Sequence, residues 1–524
     1  MPVAPGTSSI WDTAFSQRRP WTTSSASSTT YTRQRQQAVR DREGAPSTGY
    51  SCDLSELAMS APKRVAVVGA GVSGLASAQA LLKMDPRIEV SVLEASNRPG
   101  GVLETHREGA FLLEQGPDSL VRTKPAAIDL CRELGVPLIE TRNEHARSLV
   151  VRDGGLVPVP PGFQLVAPTS LWPMVTTPLF SWPAKLRMAL DLVLPRRSGA
   201  SLVDDENLAS FVRRRLGQEA LDRLIQPLIA GIYAGDPADL SLRSTMPRLL
   251  DMELHHRSLI LGMRDAARQR KTQDAAGARY SLFVTAQHGM ATLTDALAAT
   301  LPPGALRLGA TVVQVERAEG SWVLHVDDGS VVTADRLVLS VPAKAAATLI
   351  TPIDDKLGSL LAGIESSSVT TVNLVWPRAQ VSHPLDGFGF VCPRTEGRYL
   401  LACTFTSRKY EGRDESEHFV LRAFVAGESA HDDDATMLRG VRNDLSDLLG
   451  IDAQPQYHLI SRYPQAMPRY DMGHQSRMDG VRQRLEQHPH LALCGNAYQG
   501  VGISDCVESG QLAAQRILGS FTDL

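Results

Sequence analysis

The sequence predicts an α/β plus α protein. A discontinuous Rossmann-like domain is joined to an α+β domain on a mixed sheet, and a mainly helical insertion interrupts them. Three observations predict this. Strand, glycine-rich turn, helix, strand and acidic residue follow in order from Arg64 to Glu94. A second glycine-rich passage, Gly495 to Gly510, opens a final helix. Between them, helical patterning dominates 141–253, while Thr370–Trp376 and Phe419–Val425 are strand-like runs.

The first stretch organises the rest. Val65 to Val68 is a continuous apolar run, as expected of a parallel strand buried on both faces. Gly69, Gly71 and Gly74 stand at G-x-G-x-x-G spacing, with Ala70, Val72 and Ser73 between them. In a dinucleotide site the first glycine makes the tight turn, the second admits a pyrophosphate, and the third lets helix and strand pack closely. The helix N-terminus offers free N–H groups and a positive dipole end to the phosphates. Ile88 to Leu93 reads as the next strand and delivers Glu94 as acceptor for a ribose hydroxyl.

Length and composition bound the remainder. A chain of 524 residues is long enough for two or three domains. Its 43% hydrophobic and 21% charged residues are an ordinary globular balance. A net charge of −3 gives no reason to expect nucleic acid. The six cysteines are scattered without a C-x-x-C pair, so neither a metal site nor a disulfide framework is expected.

Residues 1–61 are rich in Ser, Thr and Arg, and Asp12 is the sole acidic residue before Asp41. They read as a disordered leader or a mitochondrial transit peptide, with packed structure starting near Pro62. Arg147 to Pro160 reads as a hairpin turning at Asp153-Gly154. Gly162 to Leu194 is apolar, proline-broken and bears Trp172, Phe180 and Trp182. It is too interrupted to span a bilayer, which leaves packing on its own domain or lying on a membrane surface. In the helix that follows, Leu208, Phe211, Val212 and Leu216 share one face, and Arg213 to Arg215 read as a solvated one. The small-residue run Gly231 to Gly235 suits close approach of a large flat group.

Arg98-Pro-Gly-Gly101, just past Glu94-Ala95, resembles the second half of the FAD fingerprint in amine-oxidase-like flavoproteins. Further motifs resemble the protoporphyrinogen oxidase family: Gly231-Ile-Tyr-Ala234-Gly-Asp-Pro237, Gly387-Phe388-Gly389-Phe-Val391, Pro468-Arg-Tyr470-Asp-Met-Gly473-His474, and the closing Cys494 to Gly510 segment. They run in order from about Lys63 to the C-terminus.

The resemblance implies non-covalent FAD. Its contacts would be Gly69 to Gly74, Glu94, Ala95, Arg98, Gly101, Val102, Gly116, Pro117, Asp118, Ser119, Val312, Asn496, Val501, Gly502 and Ile503. Arg147 would pair with a porphyrinogen propionate, Phe388 would stack on a pyrrole ring, and Gly231, Ala234, Gly389 and Val391 would line the same cavity. The implied reaction is the six-electron oxidation of protoporphyrinogen IX to protoporphyrin IX in haem biosynthesis, with O2 reoxidising the flavin and giving H2O2. No side chain is assignable as catalytic, because hydride transfer to the flavin carries the chemistry. Coproporphyrinogen III oxidation, amine or polyamine oxidation, and a non-catalytic flavoprotein scaffold are the alternatives. No lysine stands near Ser367 to Val372, where amine oxidases usually place one, and no second glycine fingerprint offers an NAD(P)H domain. The resemblance further implies monotopic attachment to the mitochondrial inner membrane, or to the cytoplasmic membrane in a bacterium. A homodimer and contact with the next haem-pathway enzyme stay open as partners.

The predicted architecture draws the FAD domain from 62–120, 286–345 and 466–524. The substrate domain comes from 121–140, 254–285 and 346–465, and the membrane-associating insertion from 141–253.

Overall fold

The computed structural model describes residues 63–522 apart from short stretches at 110, 161–162, 165–166, 169–171, 198–204, 275–282, 319, 412 and 414–416. The leader, with its targeting and disorder expectations, lies outside the described residues.

Five parallel strands form the nucleotide-binding sheet, in the order Leu306–Arg307, Glu89–Leu93, Arg64–Val68, Arg336–Leu339, Leu491–Leu493. All three sequence pieces contribute. Val65 to Val68 are buried because helices cover one face and a three-stranded meander with its own helices covers the other. Helix Val72–Met84 packs against the closing helix Ile503–Thr522. Gly510 permits that approach, since a Cβ there would lie 2.2 Å from the Ser73 carbonyl oxygen.

The second sheet is mixed and seven-stranded: Tyr457–Pro468, Ser366–Pro377, His418–Ala426, Ala402–Phe405, Gly389–Val391, Ser148–Arg152, Gly155–Pro158. Only the pairing of Gly389–Val391 with Ser148–Arg152 is parallel. Helix Asp434–Leu449 covers one face of the sheet. The two strand-like runs around Thr370 and Phe419 pair in register over nine residues.

Two sequence boundaries need correction. The hairpin at 148–158 falls inside the expected insertion, yet it extends this sheet. Its turn at Asp153-Gly154 is as expected, with φ of 50° and 77°, but its partner strand lies some 240 residues away. Helix Leu259–Asp274, expected in the substrate domain, instead buries Leu259 and Met263 in the insertion core.

The arginine face at 213–215 is also not wholly solvated. Arg215 is fully buried, donating to Asp191 Oδ1 and to the carbonyls of Asp191, Pro195 and Arg257. Asp191 also accepts from Ser258 Oγ at 2.6 Å and Ile260 N at 3.0 Å. A buried ion pair persists only when its remaining donors and acceptors are satisfied, as here. Among the described residues no helix is long and apolar enough to cross a membrane. The apolar segment at 163–194 divides instead: Phe163, Met174, Leu179, Phe180 and Met188 enter the insertion core, whereas Trp172, Trp182, Leu186 and Val193 face outward.

Candidate active site

The glycine loop has the geometry its spacing predicts. Gly69 adopts φ +101°, and a Cβ there would stand 2.7 Å from the Ser340 carbonyl oxygen. Gly74 has no room either, because a Cβ would lie 2.0 Å from the Gly69 oxygen. Gly71 is the opposite case: nothing lies within 4 Å of where its Cβ would be. That open space above the helix N-terminus is the cradle a pyrophosphate needs. Val72, Ser73 and Ala70 are buried behind it.

Glu94 stands at the end of the second strand, one carboxylate oxygen accepting from Ala70 N at 2.6 Å and the other from Ser96 N and Oγ. The loop thus presets the acid for a ribose. Ala310 N donates to the Glu94 carbonyl at 2.8 Å and Gly309 N to that of Ser96 at 2.9 Å, which brings the strand beginning at Val312 to this end. Ala95 is exposed beside them.

Arg98 does something the fingerprint alone does not reveal. Its guanidinium donates to the carbonyls of Pro99, Gly101 and Leu103 and to Glu104. It therefore shapes the Gly100-Gly101 turn, whose Gly100 N binds the Ala70 carbonyl at 2.8 Å. Gly116 packs on Val102, since a Cβ would lie 1.8 Å from the Val102 oxygen. Two predicted flavin contacts are so brought together, with Pro117 exposed next to them.

Asp118 and Ser119 were expected along the flavin, but their side chains are committed elsewhere. Asp118 is buried and ion-paired to Arg422 at 2.9 Å and Lys409 at 3.1 Å. Ser119 Oγ bridges Asp118 and the Tyr410 hydroxyl. Burial alone would raise the Asp118 pKa, but Arg422 and Lys409 overcome it and hold the carboxyl well below its usual range. Arg422 also donates to the Gly116 carbonyl at 2.7 Å. The cluster joins this segment to the mixed sheet, and its cations come from residues about 300 positions away, beyond any local pattern.

At the closing motif, Gly502 N donates to Asp505 Oδ2 at 3.1 Å, and Lys124 holds the other oxygen of Asp505. Tyr470 donates its hydroxyl to the Asn496 carbonyl at 2.7 Å and stacks on His474, ring centroids 4.2 Å apart. Burial lowers the His474 pKa to about 4, so the imidazole is neutral near pH 7. The sequence motifs include Tyr470, His474 and Asp505 without giving them a role, and they do not reach Lys124.

The three segments that carry the predicted substrate residues pack on one another. Val391, Val150, and Ile229 and Ile232 from helix Gln226–Tyr233 share one core, with Val501 of the closing loop packed against it. Ile503 is buried at the start of the closing helix. Gly231 is exposed on an otherwise buried helix, and Ala234 ends it in the left-handed region, φ 48°. Gly389 pairs with Ser148, and a Cβ on it would lie 2.1 Å from the Cys403 oxygen. Arg147 and the 95% buried Phe388 are thereby neighbours. Arg147 is half exposed and ion-paired to Asp386 at 2.9 Å, a partner the sequence did not announce. A separate cavity of about 600 Å³ lies between Arg152, Phe180, Trp182 and Lys185, and no residue of the glycine-rich loops lines it.

An open glycine cradle, a preset ribose acid and a glycine-rich turn opening the closing helix define a FAD-dependent oxidoreductase. Residues 72–518 match the flavin containing amine oxidoreductases, and the chain belongs to that family. It is 33% identical to a coproporphyrinogen III oxidase of Bacillus subtilis over 87% of this chain and 98% of the relative. It is 30% identical to a protoporphyrinogen oxidase of Bos taurus over 87% and 99%. A crystal structure from Exiguobacterium sp. 255-15, provisionally assigned as a protoporphyrinogen oxidase, matches with TM-score 0.77 and 31% identity over 87% of this chain and 98% of that one. Within its family the chain thus groups with the porphyrinogen oxidases.

Proposed function

We propose that the protein oxidises coproporphyrinogen III to coproporphyrin III in haem biosynthesis, in place of the protoporphyrinogen reaction that the sequence motifs first suggest. The reading is carried by the backbone pairing of a half-exposed Arg147 with the buried Phe388, three residues before Val391 of the insertion core, a cation held next to an apolar strand. The preference for the tetracarboxylate is supported by the higher identity to the Bacillus subtilis enzyme than to the bovine one.

Gly69 to Gly74, Glu94 and the Gly500–Ile503 turn would hold FAD, and bound FAD would supply a two-electron acceptor that O2 regenerates with release of H2O2. The chain's own part is orientation and exclusion of water. Arg147 anchors a propionate with a charge-assisted bond. Phe388, Val391 and the exposed backbone of Gly231 wall the ring. Tyr470 keeps the Asn496 loop in place. The test is turnover of the two porphyrinogens under air, followed by porphyrin fluorescence. A higher kcat/KM for coproporphyrinogen III is expected, and a preference for protoporphyrinogen IX would sink the proposal.

We also propose that the outward face of helices Trp172–Thr176 and Trp182–Ala189 rests on a membrane surface without crossing it. Support comes from Trp172, Trp182, Leu186 and Val193, all exposed, with Lys185 stacked over Trp182. Interfacial aromatic and basic residues suit the headgroup region. Flotation with anionic lipid vesicles tests this. Protein that stays at the bottom of the gradient contradicts it.

A further inference from the structure

Two arginines stand beyond opposite ends of the short strand Gly389–Val391, and they are built alike. At one end Arg147 lies beside Phe388, whose N–H donates to the Arg147 carbonyl. At the other, Arg394 follows the strand, its own N–H donating to Gln226 Oε1 of the insertion helix at 3.2 Å. Each guanidinium is held through Nη1 by one aspartate, Asp386 for Arg147 and Asp236 for Arg394. Both arginine side chains are more than half exposed, at 51% and 61%. Among the described residues, neither has a partner on its Nε–Nη2 edge.

That edge can take a carboxylate bidentately without displacing the aspartate on Nη1. The aspartates fill the other donor and stop each side chain from folding away. Between the two cations the strand Gly389–Val391 is buried, and Val391 packs into the core shared with the insertion helix. From the level of Phe388 to Arg394 is six residues, roughly 20 Å if fully extended at the rise of a strand. The turn at Arg394–Glu396 shortens this span.

We infer that Arg394, held by Asp236, is a second carboxylate subsite, and that the strand Gly389–Val391 spaces it from Arg147 to read a substrate with carboxylates on opposite edges. The inference rests on the porphyrinogen reading above and deepens it. Protoporphyrinogen IX carries its two propionates on one edge and engages one arginine. Coproporphyrinogen III carries a propionate on every pyrrole and engages both. Arg394 is therefore the residue that separates the two substrates, while Arg147 serves either.

The test compares kcat/KM of the FAD-loaded enzyme for the two porphyrinogens. Arg394→Ala lowers the coproporphyrinogen-to-protoporphyrinogen ratio by about ten-fold, the scale of one lost charge-assisted hydrogen bond. Arg147→Ala lowers both constants together. Because Arg394→Ala also frees Asp236, Arg394→Gln is measured beside it, with binding of the fluorescent products coproporphyrin III and protoporphyrin IX as a readout independent of turnover. In that variant coproporphyrin binding weakens more than protoporphyrin binding. If the parent prefers coproporphyrinogen and both Arg394 variants leave the ratios unmoved, the subsite is overturned and the functional reading stands. A parent that takes protoporphyrinogen alone overturns both.

Discussion

Phe388 donates its backbone N–H to the carbonyl of Arg147 at 2.8 Å, so one hydrogen bond registers the aromatic wall against the cation at its rim. The two residues are 241 positions apart in sequence. Leu385, two residues before Gly387, is held at φ 48° with its side chain fully buried. A buried side chain can hold a branched residue in that sparsely populated region, and here it aims Asp386 at Arg147.

Arg147→Ala is expected to raise KM and lower kcat/KM by about 2–3 kcal/mol, the upper part of the range for a charged hydrogen bond. Flavin content should stay at the parent level, because Arg147 touches none of the flavin loops. A smaller loss in Arg147→Lys fits the same role, since an ammonium cannot bind bidentately. Loss of flavin from Arg147→Ala, or parental turnover, would place the propionate elsewhere.

The glycine loop separates two kinds of defect. Gly71→Val fills open space and meets no protein atom through its Cβ. The apo-protein should melt like the parent apo-protein while the flavin absorbance at purification is lost. Gly69→Ala instead forces a Cβ against Ser340 at φ +101°. It should destabilise the apo-protein by about 1–2 kcal/mol or more from the left-handed backbone alone. Thermal melts of flavin-stripped protein distinguish them.

His474 gives a pH signature. Its folded pKa, about 4, lies below the ordinary value of 6.5 because the ring is buried against Tyr470. A histidine that is neutral when folded contributes no penalty above pH 6.5. As pH falls from 6.5 towards 4, the unfolded chain gains the proton first and stability is lost. At 1.36 kcal/mol per pH unit the loss is about 2 kcal/mol by pH 5. His474→Phe preserves a stacked ring and removes the titration. The difference between its unfolding midpoints at pH 7.5 and pH 5 should be smaller than the parent's, and an unchanged difference would exclude His474 as a source.

Asp118→Asn should be among the more damaging single changes at the junction of the two sheets. It leaves Lys409 and Arg422 buried around a neutral amide, at a cost of about 3–5 kcal/mol. Adding Lys409→Met should recover part of that loss in urea unfolding. If both variants unfold at the parent's midpoint, the cluster is not what holds the 114–119 segment to the mixed sheet.

The flavin cradle was legible because its parts are local. One βαβ unit supplies turn, helix start and acid within about thirty residues, so spacing alone carries the geometry of Gly69, Gly71 and Glu94. The strands at Thr370 and Phe419 and the turn at Asp153-Gly154 were legible for the same reason: each is declared by its own run of residues. Sheet order is not local. Nothing in 148–158 says that it will lie beside Gly389–Val391, and that pairing places Arg147 next to Phe388 and gives it Asp386. Nor does an Asp-Ser after Gly-Pro say that Lys409 and Arg422 will claim it. Side chains of these types bind whichever opposite charge the folded chain brings within reach. Sequence by itself determined the nucleotide-binding unit and the order of the motifs, through short-range backbone geometry. Only the tertiary structure decided which charges meet, because burial and pairing depend on neighbours hundreds of residues distant.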